Sequence, residues 1–108
     1  MELEFKSPWG TTKVKICFQK KPFSVELLEY DEGFNQWMPF MTVTTNLPGY
    51  IPDKPNVALV KNYSENEGVD EFLFNNKLAF PTGKKYHYGY VDIPEYEFDL
   101  EELKKYEV

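Results

Sequence analysis

Arginine is absent from this 108-residue chain, and all twelve of its basic residues are lysine. Arginine is the residue that most often makes bidentate contacts to phosphate and guanine, so its absence removes the usual means of reading nucleic acid. The formal net charge of −6 also opposes binding to a polyanion. We therefore expect no direct nucleic-acid binding, whereas the same charge suits a basic protein partner.

Cysteine and histidine occur once each, as Cys17 and His87. A single cysteine cannot form an intrachain disulfide, and one Cys with one His cannot supply the four ligands of a structural zinc site. The first residues lack the basic and apolar regions of a secretory leader, and no stretch approaches the ~20 apolar residues of a membrane helix. We therefore expect a cytoplasmic protein without a metal, a cofactor or a membrane partner.

Aromatic residues make up 18% of the chain, as eight Tyr, nine Phe and two Trp. Rings in this number supply enough apolar area for a packed core and leave some rings for the surface. The length fits one domain. We therefore expect a single domain over residues 1–108, with residues 1–10 and 106–108 flexible.

Apolar residues alternate with polar ones at positions 14–18 and again at 23–27, which predicts two half-buried strands. Residues 37–45 predict a third strand, in which Pro39 indicates an edge or a bulge. The short connections favour an antiparallel meander. A fourth, central strand is predicted at 57–60, where every residue is apolar.

Ser64 and Glu67 have the spacing of a capping box, in which each side chain satisfies a free backbone N–H at the start of a helix. Apolar residues at helical spacing follow, and Pro81 prevents the helix from continuing. These signals predict the main helix, beginning at Ser64 and ending near Leu78.

Tyr86–Val91 predicts a further strand, which resumes after Pro94, and Asp99 predicts the cap of a short last helix. Together the elements predict an α+β fold. We expect an antiparallel β-sheet of about five strands, with one main helix packed on one face and a short C-terminal helix.

Catalytic patterns are weak in this chain. Nothing in the sequence brings Cys17 and His87 together, and Gly83-Lys84-Lys85 lacks the first glycine and the hydroxyl residue of a phosphate loop. Glu95 and Glu97 share one side of a strand, as the carboxylate pair of a glycosidase could. A hydrolase that depends on Glu95 is therefore a third alternative, but we expect no enzyme.

Acidic residues concentrate in residues 92–108, whereas the first 25 residues hold five lysines and two glutamates. Carboxylates in a row can imitate the phosphates of a duplex, and tyrosines among them could make the central contacts of an interface. We therefore predict two partner-binding patches. The first is the helix start, with Glu65, Glu67, Asp70 and Glu71. The second is the strand and tail, with Tyr88, Tyr90, Asp92, Glu95, Tyr96, Glu97, Asp99, Glu101 and Glu102.

Three stretches of the chain are distinctive. They are Thr42–Tyr50; Asn62–Glu67 with Glu71-Phe72-Leu73; and Pro81-Thr82-Gly83 with Gly89-Tyr90, Pro94, Tyr96 and Phe98-Asp99-Leu100. Together, over about residues 12–105, they resemble a family of small domains of unknown function that is encoded on conjugative elements and phages of Firmicutes and related gut bacteria. The family often has arginine where this chain has Lys84, and its lead strand is shorter.

The resemblance brings no active site to transfer, but it implies a biological setting. Small acidic proteins of mobile elements often inhibit host restriction or CRISPR nucleases by covering a DNA-binding surface, and a Cas9-type nuclease exposes a basic channel and arginines that read the PAM. We therefore expect an inhibitor of a host nuclease in the bacterial cytoplasm. The leading hypothesis is an anti-CRISPR protein against a Cas9-type effector. The alternative is a non-enzymatic regulatory or homodimeric interaction module of a conjugative element.

Overall fold

The computed structural model describes all 108 residues, and its first half is an antiparallel meander. Four strands follow one another in a single sheet: β1 (Leu3–Ser7), β2 (Gly10–Lys20), β3 (Phe23–Asp31) and β4 (Gln36–Thr42). The predicted alternation is confirmed, because Val14 and Ile16 of β2 and Val25 and Leu27 of β3 are buried on the same face. Pro39 lies in the edge strand β4, next to a bulge opposite Leu27 and Leu28.

A second sheet contains β5 (Thr44–Thr45), β6 (Val57–Val60), β7 (Ala79–Tyr88) and β8 (Val91–Phe98). Its strands are antiparallel in the order β5-β6-β8-β7. All of β6 is buried, as predicted for a central strand. The single strand predicted over Tyr86–Val91 is wrong, because the chain reverses there through the two-residue turn Gly89-Tyr90 and returns as β8.

The main helical segment covers residues 64–75 in two parts, a 3-10 turn (Ser64–Asn66) and the helix α1 (Val69–Asn75). The predicted capping box is wrong, because α1 begins after Gly68 and no side chain caps it. Gly68 has a φ of 101° and lies against β1, where a Cβ would come within 2.7 Å of the Lys6 carbonyl oxygen. This close approach breaks the segment into two parts.

The second helix, α2 (Leu100–Lys105), confirms the predicted cap at Asp99. The Asp99 carboxylate accepts hydrogen bonds from the backbone N–H groups of Glu101 at 3.1 Å and Glu102 at 3.2 Å. α1 ends at Asn75, before the predicted end near Leu78. With seven residues at most, neither α-helix has the length or the apolar run needed to cross a membrane.

One hydrophobic core joins both sheets and both helices. It includes Phe5 and Leu27 of the first sheet, Phe98 of the second, Leu73 of α1 and Leu103 of α2. Each such side chain contributes about 1.5–3 kcal/mol when it is fully buried. The α+β class, the main helix and the short C-terminal helix are thus confirmed, and the antiparallel strands number eight in two sheets.

Both ends of the chain, which we expected to be flexible, are paired with β2. β1 lies along β2, and its Phe5 is fully buried. At the other end, the N–H of Ile16 donates to the carbonyl of Tyr106 at 2.9 Å, and the carbonyl of Ile16 accepts from the N–H of Val108 at 3.1 Å. The ends therefore belong to the folded domain.

Candidate docking surface

A groove of about 760 Å³ opens where β8 passes into α2. Three of the predicted carboxylates line it, those of Glu97, Asp99 and Glu101. We call it the tail groove, and its other lining residues are Asn56, Phe80, Pro81, Thr82, Phe98 and Leu100. The tail groove therefore combines negative charge with apolar surface.

Local structure explains why these carboxylates share one groove. Glu97 lies near the end of β8, directly opposite Phe80 of β7. The chain then turns into α2 at Asp99, whose capping hydrogen bonds fix the angle between strand and helix. Glu97, Asp99 and Glu101 are alternate residues along this turn, and all three therefore line the tail groove.

The apolar wall of the tail groove continues into exposed aromatic surface. Phe80 is 44% exposed, and Phe74 of α1 is 62% exposed. Their rings meet edge to face, with the centroids 6.3 Å apart. Neither ring was among the predicted residues, although Phe74 follows Leu73 and so points about 100° away from it on a helix. Apolar area left in water at a concave site marks a place where a partner can bind.

The protein's own lysines pair with several carboxylates near the tail groove. The pairs are Glu97–Lys54 at 3.4 Å, Glu101–Lys104 at 3.8 Å and Glu102–Lys105 at 2.7 Å. The bond from Glu102 raises the pKa of Lys105. Exposed pairs of this kind contribute little to stability because water competes for both charges. The lysines therefore offset part of the negative charge around the tail groove without holding its carboxylates tightly.

Two predicted partner-binding residues, Glu95 and Tyr96, are buried with only 6% of each exposed. The Glu95 carboxylate accepts hydrogen bonds from the hydroxyls of Tyr50 and Thr82, both at 2.8 Å. The Tyr96 hydroxyl donates to Oδ1 of Asp70 at 2.5 Å. Burial raises the pKa of both phenols, Tyr50 and Tyr96, well above the usual range. Their prediction as docking residues is corrected, because they hold the fold together from inside.

Three other predicted residues, Tyr88, Tyr90 and Asp92, lie at the tip of the β7–β8 hairpin. The Tyr90 side chain is fully exposed, and the Asp92 carboxylate is 2.7 Å from Nδ1 of His87. The tip is at the opposite end of β8 from the tail groove. The structure therefore does not bring these tyrosines to the tail carboxylates.

The predicted patch at the helix start divides in two. Glu65 and Glu67 are exposed ahead of α1, and the ammonium of Lys61, 2.6 Å from Oε1 of Glu65, lowers the pKa of that carboxyl to about 2. Glu71, on α1, lines a separate depression of about 410 Å³ together with Glu2 and Glu4. The last two were not predicted, although they alternate with the buried Leu3 and Phe5.

Cys17 and His87 lie in different sheets, Cys17 in β2 and His87 in β7. No group of three or more His, Cys, Asp or Glu side chains is arranged to hold a metal ion. Among these openings, the tail groove has the largest number of predicted carboxylates in its lining, which are those of Glu97, Asp99 and Glu101.

Comparison with known proteins identifies a family. A sequence profile described as Domain of unknown function (DUF4313) matches residues 11–108. The match includes the tail groove and both sheets except β1. No curated protein matches the chain, and neither does any solved structure. Because the profile covers nearly the whole sequence, the chain belongs to the DUF4313 family of domains of unknown function.

Proposed function

We propose that this protein is a non-enzymatic inhibitor that binds a host defence nuclease through the tail groove. The observation that carries the proposal is the lining of that groove, where three carboxylates adjoin the exposed ring of Phe80. The carboxylates can pair with the lysines and arginines that normally hold nucleic acid, and the ring supplies the apolar centre of an interface. Bound in this way, the protein prevents nucleic acid from reaching the basic groove of the nuclease.

The resemblance described above gives the proposal its biological setting. It implies an origin on a conjugative element or a phage and action in the cytoplasm of the bacterial host. A Cas9-type nuclease is the first candidate, because it exposes a basic channel for the guide–target duplex and arginines that read the PAM. Acting there, this member of the DUF4313 family is an anti-CRISPR protein.

The alternative is a regulatory or homodimeric interaction module, and its homodimeric form, through a free strand edge, has weaker support. Pro39 interrupts β4, and Pro81 begins an irregular stretch of β7 that carries Lys84 and Lys85. Proline lacks the N–H that strand pairing needs, and lysines on an edge repel a second copy. The β1 edge is approached by Gly68 at the start of α1. Sedimentation of the purified protein as a monomer would exclude the homodimer.

The proposal is tested by plasmid cleavage with a panel of Cas9-type and restriction nucleases, with and without the protein. We expect inhibition of at least one nuclease at near-stoichiometric concentration. Raising NaCl from about 50 to 300 mM should weaken that inhibition about tenfold or more, because salt screens the attraction between the charges. Full cleavage by every nuclease of the panel, in both salt concentrations, would contradict the proposal.

A matched pair of variants locates the site. The triple variant Phe80→Ala/Glu97→Lys/Glu101→Lys should raise the half-inhibitory concentration about thirtyfold or more, because it removes a central ring and reverses two charges. The control Phe34→Ala/Glu2→Lys/Glu32→Lys makes the same chemical changes at exposed residues outside the tail groove. It should inhibit as well as the unsubstituted protein. Equal loss in both variants would show that net charge, and not the tail groove, determines inhibition.

A further inference from the structure

A second groove, of about 360 Å³, lies between the two edges of the first sheet. We call it the Trp9 groove after its exposed indole ring, and its other principal residues are Phe5, Phe40, Met41 and Glu65. It shares no residue with the tail groove. Phe5 and Trp9 precede the region that matches the family profile, so family membership does not imply this site.

The bulge in β4 forms one wall of the Trp9 groove. Leu27 pairs with Met41 and Leu28 with Pro39, so Phe40 is an extra residue in β4. The Phe40 ring therefore turns toward the core and meets Phe5 of β1 edge to face, with the centroids 5.9 Å apart. The sheet thus curls until rings from its two edge strands touch, and the groove remains between them.

Trp9 stands at the mouth of the groove in a fixed turn. Ser7 pairs with Gly10, so Pro8 and Trp9 form a two-residue turn between β1 and β2. The Ser7 hydroxyl accepts a hydrogen bond from the Trp9 N–H and donates one to the Gly10 carbonyl, both at 3.2 Å. The backbone is therefore held, while the indole ring remains 73% exposed. A large ring in this state has apolar surface available to a ligand.

Glu65 provides the charge of the Trp9 groove. Lys61 pairs with Oε1 of Glu65 at 2.6 Å, which leaves Oε2 without a salt-bridge partner. A neighbouring depression of about 330 Å³ contains Lys61 and shares Phe40, Met41 and Glu65 with the Trp9 groove. Glu65 therefore lines two adjacent depressions, one that contains its partner Lys61 and one that contains the rings of Phe5, Trp9 and Phe40. A carboxylate beside aromatic rings is a site for a cation that carries apolar surface.

We infer that the Trp9 groove binds an arginine side chain of a partner protein. A guanidinium is planar, so it can stack on an indole ring while its N–H groups pair with a carboxylate oxygen. A lysine ammonium is more strongly hydrated and offers no flat face, so it fits this combination less well. The chain has no arginine of its own, and a second copy therefore cannot supply the occupant.

The inference is tested with three peptides, acetyl-Gly-Arg-Gly-amide and its lysine and citrulline analogues. Each is titrated into the ¹⁵N-labelled protein while the indole N–H signals of Trp9 and Trp37 are followed by NMR. We expect the arginine peptide to shift the Trp9 signal with saturation and to bind at least about threefold tighter than the lysine peptide. The citrulline peptide, which keeps the shape and lacks the charge, should produce no saturable shift.

Substitutions assign the contacts. Trp9→Ala should lower the affinity for the arginine peptide about fivefold or more, and Glu65→Gln should lower it about threefold. In Trp9→Ala, binding is followed through the backbone signals of Thr11 and Thr12. Phe34→Ala, which removes another exposed ring outside the groove, should leave binding unchanged. Both groove residues are largely exposed, so circular dichroism should report an intact fold in each variant. Equal binding of the arginine and citrulline peptides, or unchanged binding in Trp9→Ala, would overturn the inference without affecting the proposed role of the tail groove.

Discussion

Lys61 controls the ionisation of Glu65. The ammonium pairs with the carboxylate at 2.6 Å and, together with hydrogen bonds from the Glu65 backbone and the Ser64 side chain, lowers its pKa from 4.5 to about 2. Because the folded state releases this proton more readily than the unfolded chain, the pair stabilises the fold above pH 4.5, and its contribution is lost as the pH falls through about 2. The carboxylate therefore keeps its charge for an arginine ligand in mildly acidic solution.

We expect Lys61→Met to raise the midpoint of Glu65 from about 2 toward its ordinary value of 4.5 in a carboxyl ¹³C NMR titration. The midpoint should stay below 4.5, because hydrogen bonds from the Glu65 backbone and the Ser64 side chain remain. Lys54→Met is the control, because it removes a lysine that pairs with Glu97 instead, and it should leave the midpoint of Glu65 at about 2. A midpoint near 4.5 in the unsubstituted protein would contradict the ion pair.

Glu95 depends on hydroxyl donors because its carboxylate is buried. Tyr50→Phe removes one of them and leaves a buried oxygen unsatisfied, so we expect it to lower the free energy of unfolding by about 1–3 kcal/mol. Tyr88→Phe removes an exposed hydroxyl and should change it by less than about 0.5 kcal/mol. Urea denaturation measures both values. Equal stability of the two variants would show that the bond from Tyr50 contributes nothing.

The sequence could not distinguish Glu95 from its exposed neighbours. Glu95 and Glu97 have the same charge and lie in one alternating stretch. The difference arises because Tyr50 comes from a loop 45 residues earlier and Thr82 from the irregular stretch of β7. Long-range contacts of this kind leave no local pattern, whereas the exposed Glu97 and Glu101 follow from local charge alone.

Asp99 and Ser64 test helix capping at two sites that look alike in the sequence. Each is followed three residues later by a glutamate. Asp99 makes two capping hydrogen bonds and Ser64 makes none. Asp99→Ala should therefore lower the free energy of unfolding by about 1 kcal/mol, and Ser64→Ala by less than about 0.5 kcal/mol. Thermal and urea unfolding of the two variants check this order. A larger loss of stability in Ser64→Ala would show that Ser64 does cap the helical segment.

Alanine substitutions at Gly68 and Gly83 distinguish the cost of backbone strain from the cost of a steric clash. Both have positive φ, 101° and 93°, but a Cβ at Gly68 would meet the Lys6 carbonyl oxygen at 2.7 Å and a Cβ at Gly83 would meet nothing within 4 Å. Gly83→Ala should therefore cost about 1 kcal/mol from backbone strain, and Gly68→Ala about 2–3 kcal/mol or more. Urea denaturation compares them, and equal losses would mean that α1 moves away from β1 at little cost.

Elements with a clear local signal were the ones that could be predicted. Alternation located β2 and β3, an apolar run located β6, and a capping residue located α2. β1 was not predicted because Pro8 and Trp9 follow its short alternation at once. The main helix was placed too early, since no local signal shows that β1 crosses the chain at Gly68.

At the scale of the whole molecule, the arrangement of the two sheets lay beyond the sequence. In the second sheet β6 pairs with β8, which is about forty residues away, and β8 separates it from β7. This order places the tail groove next to Phe80 and sends the hairpin tip to the other end of β8. The charge of the tail could therefore be predicted, but not which aromatic rings would accompany it.

The two chain ends lie along the same edge of β2, because β3 occupies the other edge. On that edge the pairing of β1 stops at Leu3, opposite Val14, and the last residues of the chain pair with Ile16, two residues further along β2. A short glycine-serine linker could therefore join the last residue to the first. Opening the resulting ring at the exposed Gly89-Tyr90 turn would give a circular permutant that retains both sheets, with both old termini still beside β2.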